Sequence, residues 1–139
     1  MNIADRNAAE AQKYVDQLNQ LDPMGPWSQR AVGLRATIVT AAQLQRMGAG
    51  MLLAVGKGSK NPPCLVVLSG GKPGAKDPLG RRLAMVGKGV CFDTGGISLK
   101  PPAEMEEMKH DKNGAIAVLE AAATIAQLDP GRPIHAVAA

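Results

Sequence analysis

Aromatic side chains are nearly missing from this sequence of 139 residues, in which Tyr14, Trp27 and Phe92 are the whole set. Proteins that bind single-stranded nucleic acid stack bases on several exposed rings, and three rings spread along a chain build no such platform. Cysteine is as scarce. Cys64 and Cys91 each sit in an apolar run of strand type, with no CxxC pair or Cys/His cluster, so they read as buried structural thiols rather than as a disulfide or a zinc site. Such thiols suit a reducing cytosol. Long apolar runs are absent too: no segment approaches the roughly 18 apolar residues of a membrane span, and the polar stretch from Met1 to Glu10 does not have the form of a secretory signal. The expectation is a cytoplasmic protein without a membrane or nucleic-acid partner. Charge of one sign is in short supply as well, because the net +4 is scattered along the chain and serves solubility.

What is present is enough apolar material for a core. Apolar residues make up 45% of the chain, and the length fits one domain, residues 1–139. From Asn2 to Leu21 the apolar positions Ala8, Ala11, Val15 and Leu18 recur at three and four, which predicts an amphipathic helix ended by Asp22-Pro23. Gly33 to Thr40 is rich in β-branched residues and predicts a strand. A short helix over Ala41 to Met47 follows, and Met51 to Val55 leans to helix. Cys64 to Leu68 and Leu83 to Val86 read as strands buried on both faces, joined by a hairpin or a longer excursion through turn residues. Asp111 and Asn113 are placed to cap a helix with an apolar stripe over Ala115, Val118, Leu119, Ala122, Ile125 and Ala126, stopped at Asp129-Pro130-Gly131. Ile134 to Ala139 opens a further strand. Helices alternating with strands predict an α/β fold, a three-layer α/β/α sandwich with a mostly parallel or mixed sheet.

The chemistry concentrates between Val86 and Gly114, VGKGVCFDTGGISLKPPAEMEEMKHDKNG. A strand delivers Lys88 to its end. Asp93 follows beside Thr94-Gly95-Gly96, where the backbone can bend sharply, then Lys100, then Asp111 at the mouth of the long helix. Two carboxylates and two lysines therefore gather on the loops at one edge of the sheet. Carboxylate oxygens on irregular backbone suit Mg, Mn or Zn. A lysine ligates a metal only when deprotonated, and its ordinary pKa of about 10.4 must fall by roughly three units, which an adjacent dication can bring about. Read from spacing alone, the same residues also serve as surface charges, a turn residue and a helix cap.

The runs VGKGVCFDTGGISLKP and EMKHDKNGAIAV resemble the signature region of the leucyl aminopeptidase family, whose pattern is close to VGKGxxFDxGGxxLKP followed by a metal-binding Asp before a Gly-Ala-rich helix. The segment MGAGMLLAVGKGSKNPPCLVVL is similar, more loosely, to the stretch leading into that family's catalytic domain. The resemblance implies a partial metallo-aminopeptidase catalytic domain that removes N-terminal residues such as Leu from peptides. It implies two divalent ions, Mn or Zn with Mg as a further option, with Lys88 and Asp111 on the tighter one and Asp93 bridging both. Lys100 becomes the catalytic lysine, and Met108, with Asp111, a substrate-binding residue. It also implies a homo-oligomer, hexameric in the family, or a complementing chain.

Two departures qualify the resemblance. The family's second motif, NTDAEGR, belongs some sixty residues past Asp111 and does not occur in this sequence, so the chain alone is expected to bind metal weakly and to hydrolyse peptides poorly. Lys112-Asn113 stands where the family has Met and a small residue, and an added cation beside Asp111 opposes metal binding. The competing reading is a catalytically silent scaffold for assembly or binding. A nucleotide-binding enzyme fits poorly, because neither GKGS at Gly56 nor GKG at Gly87 completes a P-loop or dinucleotide fingerprint. Serine or cysteine hydrolysis lacks a GxSxG elbow. His110 reads as a surface or supporting residue, and His135 as packed in a strand.

Overall fold

In the computed structural model, residues 33–72 and 79–139 are described. The helix predicted over Asn2 to Leu21 lies outside them. Strand β1 (Arg35–Val39) leads into α1 (Ala41–Arg46), α2 (Gly50–Gly56) and β2 (Leu65–Gly70). Strand β3 (Leu83–Gly87), a 3-10 helix (Met105–Lys112), α3 (Asn113–Leu128) and β4 (Ile134–Ala138) complete the order. The predicted elements fall within a residue or two of these spans, and Met51 to Val55 is helical. Thr40 explains the sharp turn from β1 into α1: its hydroxyl accepts from Gln43 N–H while the Gln43 side chain accepts from Thr40 N–H at 2.7 Å, a reciprocal capping box.

The four strands form one mixed sheet in the order β1-β2-β4-β3. β1 with β2 and β2 with β4 run antiparallel, and β3 runs parallel to β4. β4 therefore lies between β2 and β3, so the link from β2 to β3 is the longer excursion and not the hairpin. The registers align Ala36, Leu68, Ala136 and Met85 in a row across the sheet, and α3 packs its Ala122 and Ala126 on that face around Leu34 and Ile134. Small alanines on α3 let the helix approach the sheet closely, while the β-branched and leucine side chains fill the space between.

Strand β3 is a correction to the expected strand buried on both faces. It is an edge strand in which Leu83 is 39% and Val86 73% exposed. An apolar run of four residues, Leu83 to Val86, signals strand without telling whether one face or both will be covered. The cysteines differ too: Cys64 is half-buried, but Cys91, beyond the end of β3, is exposed. Both are free thiols. Burial pushes the Cys64 thiol up, and the charge of Cys91 adds to that.

The end of β3 meets the start of α3 at two glycines. A Cβ on Gly87 would stand 2.3 Å from the Gly114 carbonyl oxygen and 2.7 Å from Ala115 Cα. Gly87→Ala is expected to destabilise the fold by ~1–3 kcal/mol through forced separation of strand and helix, measured as a lower midpoint in urea. Gly58→Ala, where an added Cβ meets nothing within 4 Å, is the control that leaves the midpoint nearly unchanged.

Candidate metal and catalytic site

The site grows from that glycine contact. With Gly87 against Gly114, the carbonyl of Lys88 accepts from Ala115 N–H at 2.8 Å, so backbone from β3 satisfies a donor in the first turn of α3. This replaces the expected side-chain cap. Neither Asp111 nor Asn113 caps the helix: the position before it is Lys112, which makes no side-chain capping bond, and Asp111 belongs to the preceding 3-10 helix. The carboxylate is drawn instead to an opposite charge, with Lys88 Nζ 3.0 Å from Asp111 Oδ2.

The second pair forms across the glycine turn. Gly95 and Gly96 have φ of +96° and +77°, and the turn they make folds Lys100 back so that its N–H donates to the Thr94 carbonyl at 2.9 Å. Lys100 Nζ then lies 2.6 Å from Asp93 Oδ1 and 3.1 Å from Met108 Sδ, and it also donates to the Asp93 carbonyl at 3.4 Å. Gly95 N–H donates to the same Asp93 oxygen at 2.9 Å.

All five residues singled out from the sequence, Lys88, Asp93, Lys100, Met108 and Asp111, thus lie in two linked clusters beyond the carboxyl end of β3, the end at which open α/β sheets place their ligands. The clusters sense one another. The hydrogen bond from Lys100 is the main reason the Asp93 carboxyl sits below the usual carboxylate range; partial burial opposes it, while Gly95 N–H and the charges of Lys100 and Lys88 add to it.

The donor set is carboxylate and amine. Asp93 and Asp111 offer hard oxygens, and Lys88 offers a nitrogen once deprotonated. In this structure one ammonium group lies beside each carboxylate, at 3.0 Å and 2.6 Å. Among the described residues no group of three or more His, Cys, Asp and Glu converges to hold an ion. Two carboxylates and one amine therefore fit part of a divalent site and leave coordination positions for ligands beyond these residues. Lys112, expected to oppose metal at Asp111, turns its ammonium to the Lys109 carbonyl at 2.5 Å. His110 is on the surface, paired with Glu107 at 3.0 Å, and His135 is held in β4 by Ser69 Oγ at 3.0 Å.

Gly95, Gly114 and Gly87 were not singled out as site residues, yet they set where each charged group stands. Their only sequence signal was their position flanking the lysines and aspartates.

The comparisons with known proteins show the family. Residues 4–139 match the family described as the cytosol aminopeptidase family, catalytic domain. The chain belongs to that family. It is 41% identical over 141 aligned positions to a probable cytosol aminopeptidase of Solibacter usitatus, covering 94% of this chain and 29% of that protein. It is 52% identical over 98 positions to the corresponding protein of Syntrophotalea carbinolica, covering 69% and 19%. Among solved structures it superposes on a leucine aminopeptidase of Caenorhabditis elegans with a TM-score of 0.69 at 28% identity, over 98% of this chain and 28% of that one. The leucyl aminopeptidase of Trypanosoma brucei solved with bestatin gives 0.68 at 31% identity, over 80% and 21%. The chain therefore spans less than a third of the length of these relatives.

The Asp93–Lys100 contact has a titration signature. A carboxyl held low in the folded state contributes stability above its unfolded pKa of about 3.9 and loses it as pH falls through the folded value. Carboxyl-carbon NMR is expected to place the Asp93 midpoint below that ordinary value, and Lys100→Met to raise it. An unchanged midpoint in the variant would refute the assignment of Lys100 as the main cause.

Proposed function

We propose that this chain carries part of the active site of a metal-dependent aminopeptidase, one that removes N-terminal residues such as Leu from peptides in the cytoplasm. One observation carries the reading: Lys88 with Asp111 and Asp93 with Lys100 form neighbouring pairs beyond the same strand end, in a chain that matches the catalytic domain of the cytosol aminopeptidases. No helix among the described residues is long and apolar enough to cross a membrane. The cytoplasmic assignment rests on the names of the relatives.

In this reading Lys88, Asp93 and Asp111 would contribute ligands to two divalent ions, Mn or Zn. Such ions, when bound, lower the pKa of a shared water and polarise the peptide carbonyl. The chain's own residues do the rest. Asp93 and the Thr94 carbonyl fix the Lys100 backbone and ammonium before substrate arrives, so little reorganisation is needed when charge develops on the substrate oxygen. Lys100 keeps its proton and stabilises that oxyanion. Met108, in contact with Lys100 Nζ, offers a polarisable apolar wall beside the ammonium for the first side chain of the peptide. Lys88 plays a different part from Lys100: paired with Asp111 at 3.0 Å, it would stand as a nitrogen ligand beside that carboxylate. The remaining ligands would come from beyond the described residues, a complementing copy in a homo-oligomer being one source.

Metal titration followed by heat stability tests the reading, since a ligand that binds only the native state raises Tm by mass action. Mn²⁺ or Zn²⁺ is expected to raise Tm in the wild-type chain and to leave Asp93→Ala unshifted, while Glu120→Gln, on α3 beyond its first turns, keeps the response. Leucine p-nitroanilide turnover is expected to be weak and metal-dependent. A response equal in all three proteins would sink the site; neither a shift nor turnover would leave the family fold acting as a scaffold.

A further inference from the structure

The outer edge of β3 is open. β3 ends the order β1-β2-β4-β3, and among the described residues no strand pairs with its far side. Its run Leu83–Gly87 carries neither charge nor proline, two of the devices that blunt a sheet edge, and both Ala84 and Val86 are exposed, Val86 by 73%.

Hydrogen-bond geometry fixes which backbone groups face outward. Ala139 N–H donates to the Gly87 carbonyl at 3.2 Å and Gly89 N–H donates to the Ala139 carbonyl, so these two glycines turn their peptide groups toward β4. Successive residues of a strand alternate, and Ala84, Val86 and Lys88 therefore turn theirs away. The Lys88 carbonyl agrees with this phase, because it leaves the sheet to accept from Ala115 N–H at 2.8 Å. That bond also closes the carboxyl end of the edge, where α3 begins. The open stretch is Arg82 to Val86, with Ala84 at its middle.

A stretch centred on an outward-facing residue is complementary to itself. Turned about a two-fold axis at Ala84, a second β3 runs antiparallel to the first; Ala84 then faces its own copy, and Arg82 faces Val86 on both sides of the axis. All of these are hydrogen-bonded pairs, so the outward N–H and C=O groups find partners. Between them Leu83, 39% exposed, stands opposite Met85 of the second copy on the face where α3 packs, which carries the core row across the boundary. On the other face the aliphatic stem of Arg82 covers Val86. No like charges stand opposite one another within the paired stretch. A strand of another polypeptide could use the same backbone groups, but the second copy supplies a matched side chain at each position from Arg82 to Val86. We infer that this chain forms a two-fold dimer through the β3 edge, in which the two sheets join into one. The contact stops at Val86, short of Lys88, Asp93 and Asp111, and so is independent of the metal reading.

Sedimentation of the 139-residue chain across a dilution series tests the dimer. The wild type is expected to show twice the chain mass at high concentration and to dissociate on dilution. Ala84→Pro removes an outward N–H that the sheet does not use, and Val86→Lys sets a charge beside each partner strand. Both are expected to weaken dimerisation by about tenfold or more. Val55→Lys, at a position of α2 that is 70% exposed, is the control that leaves it unchanged. A wild type that stays monomeric, free or carrying a different polypeptide, overturns the inference, as does a dimer indifferent to both substitutions. Should those variants unfold, cross-linking decides. In a Cys64→Ser/Cys91→Ser background, oxidised glutathione is expected to link Ala84→Cys into a covalent dimer, because the Cα atoms of a hydrogen-bonded pair lie about 5.5 Å apart. Val86→Cys is expected to stay unlinked, since its two copies stand four positions apart along the strand (86 minus 82), about 14 Å. Linking at neither position, equally at both, or only at Val86→Cys overturns the inference.

Discussion

The constraint on which the candidate site depends is the approach of β3 to α3, where Gly87 lies against Gly114 and the Lys88 carbonyl takes the Ala115 N–H. A side chain on Gly87 would push the helix off the strand. Because the two elements meet backbone to backbone, the residues on either side of the contact are fixed relative to one another: Lys88 leaves the strand as Asp111 enters the helix, and their side chains meet at 3.0 Å. The same contact seats α3 on the sheet, where Ala122 and Ala126 pack on Ile134 and Ala136. Core packing and site geometry therefore rest on one junction.

The charge pairs at that junction place an ammonium group beside each carboxylate. An exposed Lys–Asp pair is worth little to stability, and Lys88 is 62% exposed. Its value lies in placement. The ammonium at 3.0 Å holds the Asp111 carboxylate in one orientation at the mouth of α3. Lys100 is more tightly engaged, one-third exposed and bonded both to Asp93 and to Met108. That difference suits the two roles proposed for the lysines, one that must release its proton and one that must keep it.

Much of this was legible in the sequence. Element positions followed from apolar periodicity and from Gly and Pro punctuation, and the five residues Lys88, Asp93, Lys100, Met108 and Asp111 were legible through the family pattern, since isolated Lys and Asp residues in loops carry no such signal by themselves. Three features were not legible. The exposure of β3 depends on its place at the sheet edge, which strand order decides and local composition does not. The cap of α3 comes from a carbonyl twenty-seven residues earlier (Ala115 minus Lys88), and a backbone partner leaves no trace in residue type. The exposure of Cys91 follows from β3 ending at Gly87, four residues short of it, so that the short apolar run around Cys91 lies outside the sheet.

The two ends of the parallel pair β3–β4 then differ in how their charges are balanced. At the carboxyl end two ammonium groups face two carboxylates, so cations and anions cancel pair by pair and the cluster attracts a further cation only by displacing one it already has. At the amino end Arg81, Arg82 and Arg132 line one cavity, with the Asp129 carboxylate 3.9 Å from Arg132 Nη1. Arg81 and Arg132 are fifty-one positions apart (132 minus 81), and only the parallel pairing of Leu83 with Ile134 brings them to one cavity. A charge count by sequence window cannot see that convergence, because the topology of the sheet, and not the local composition, decides which cations become neighbours.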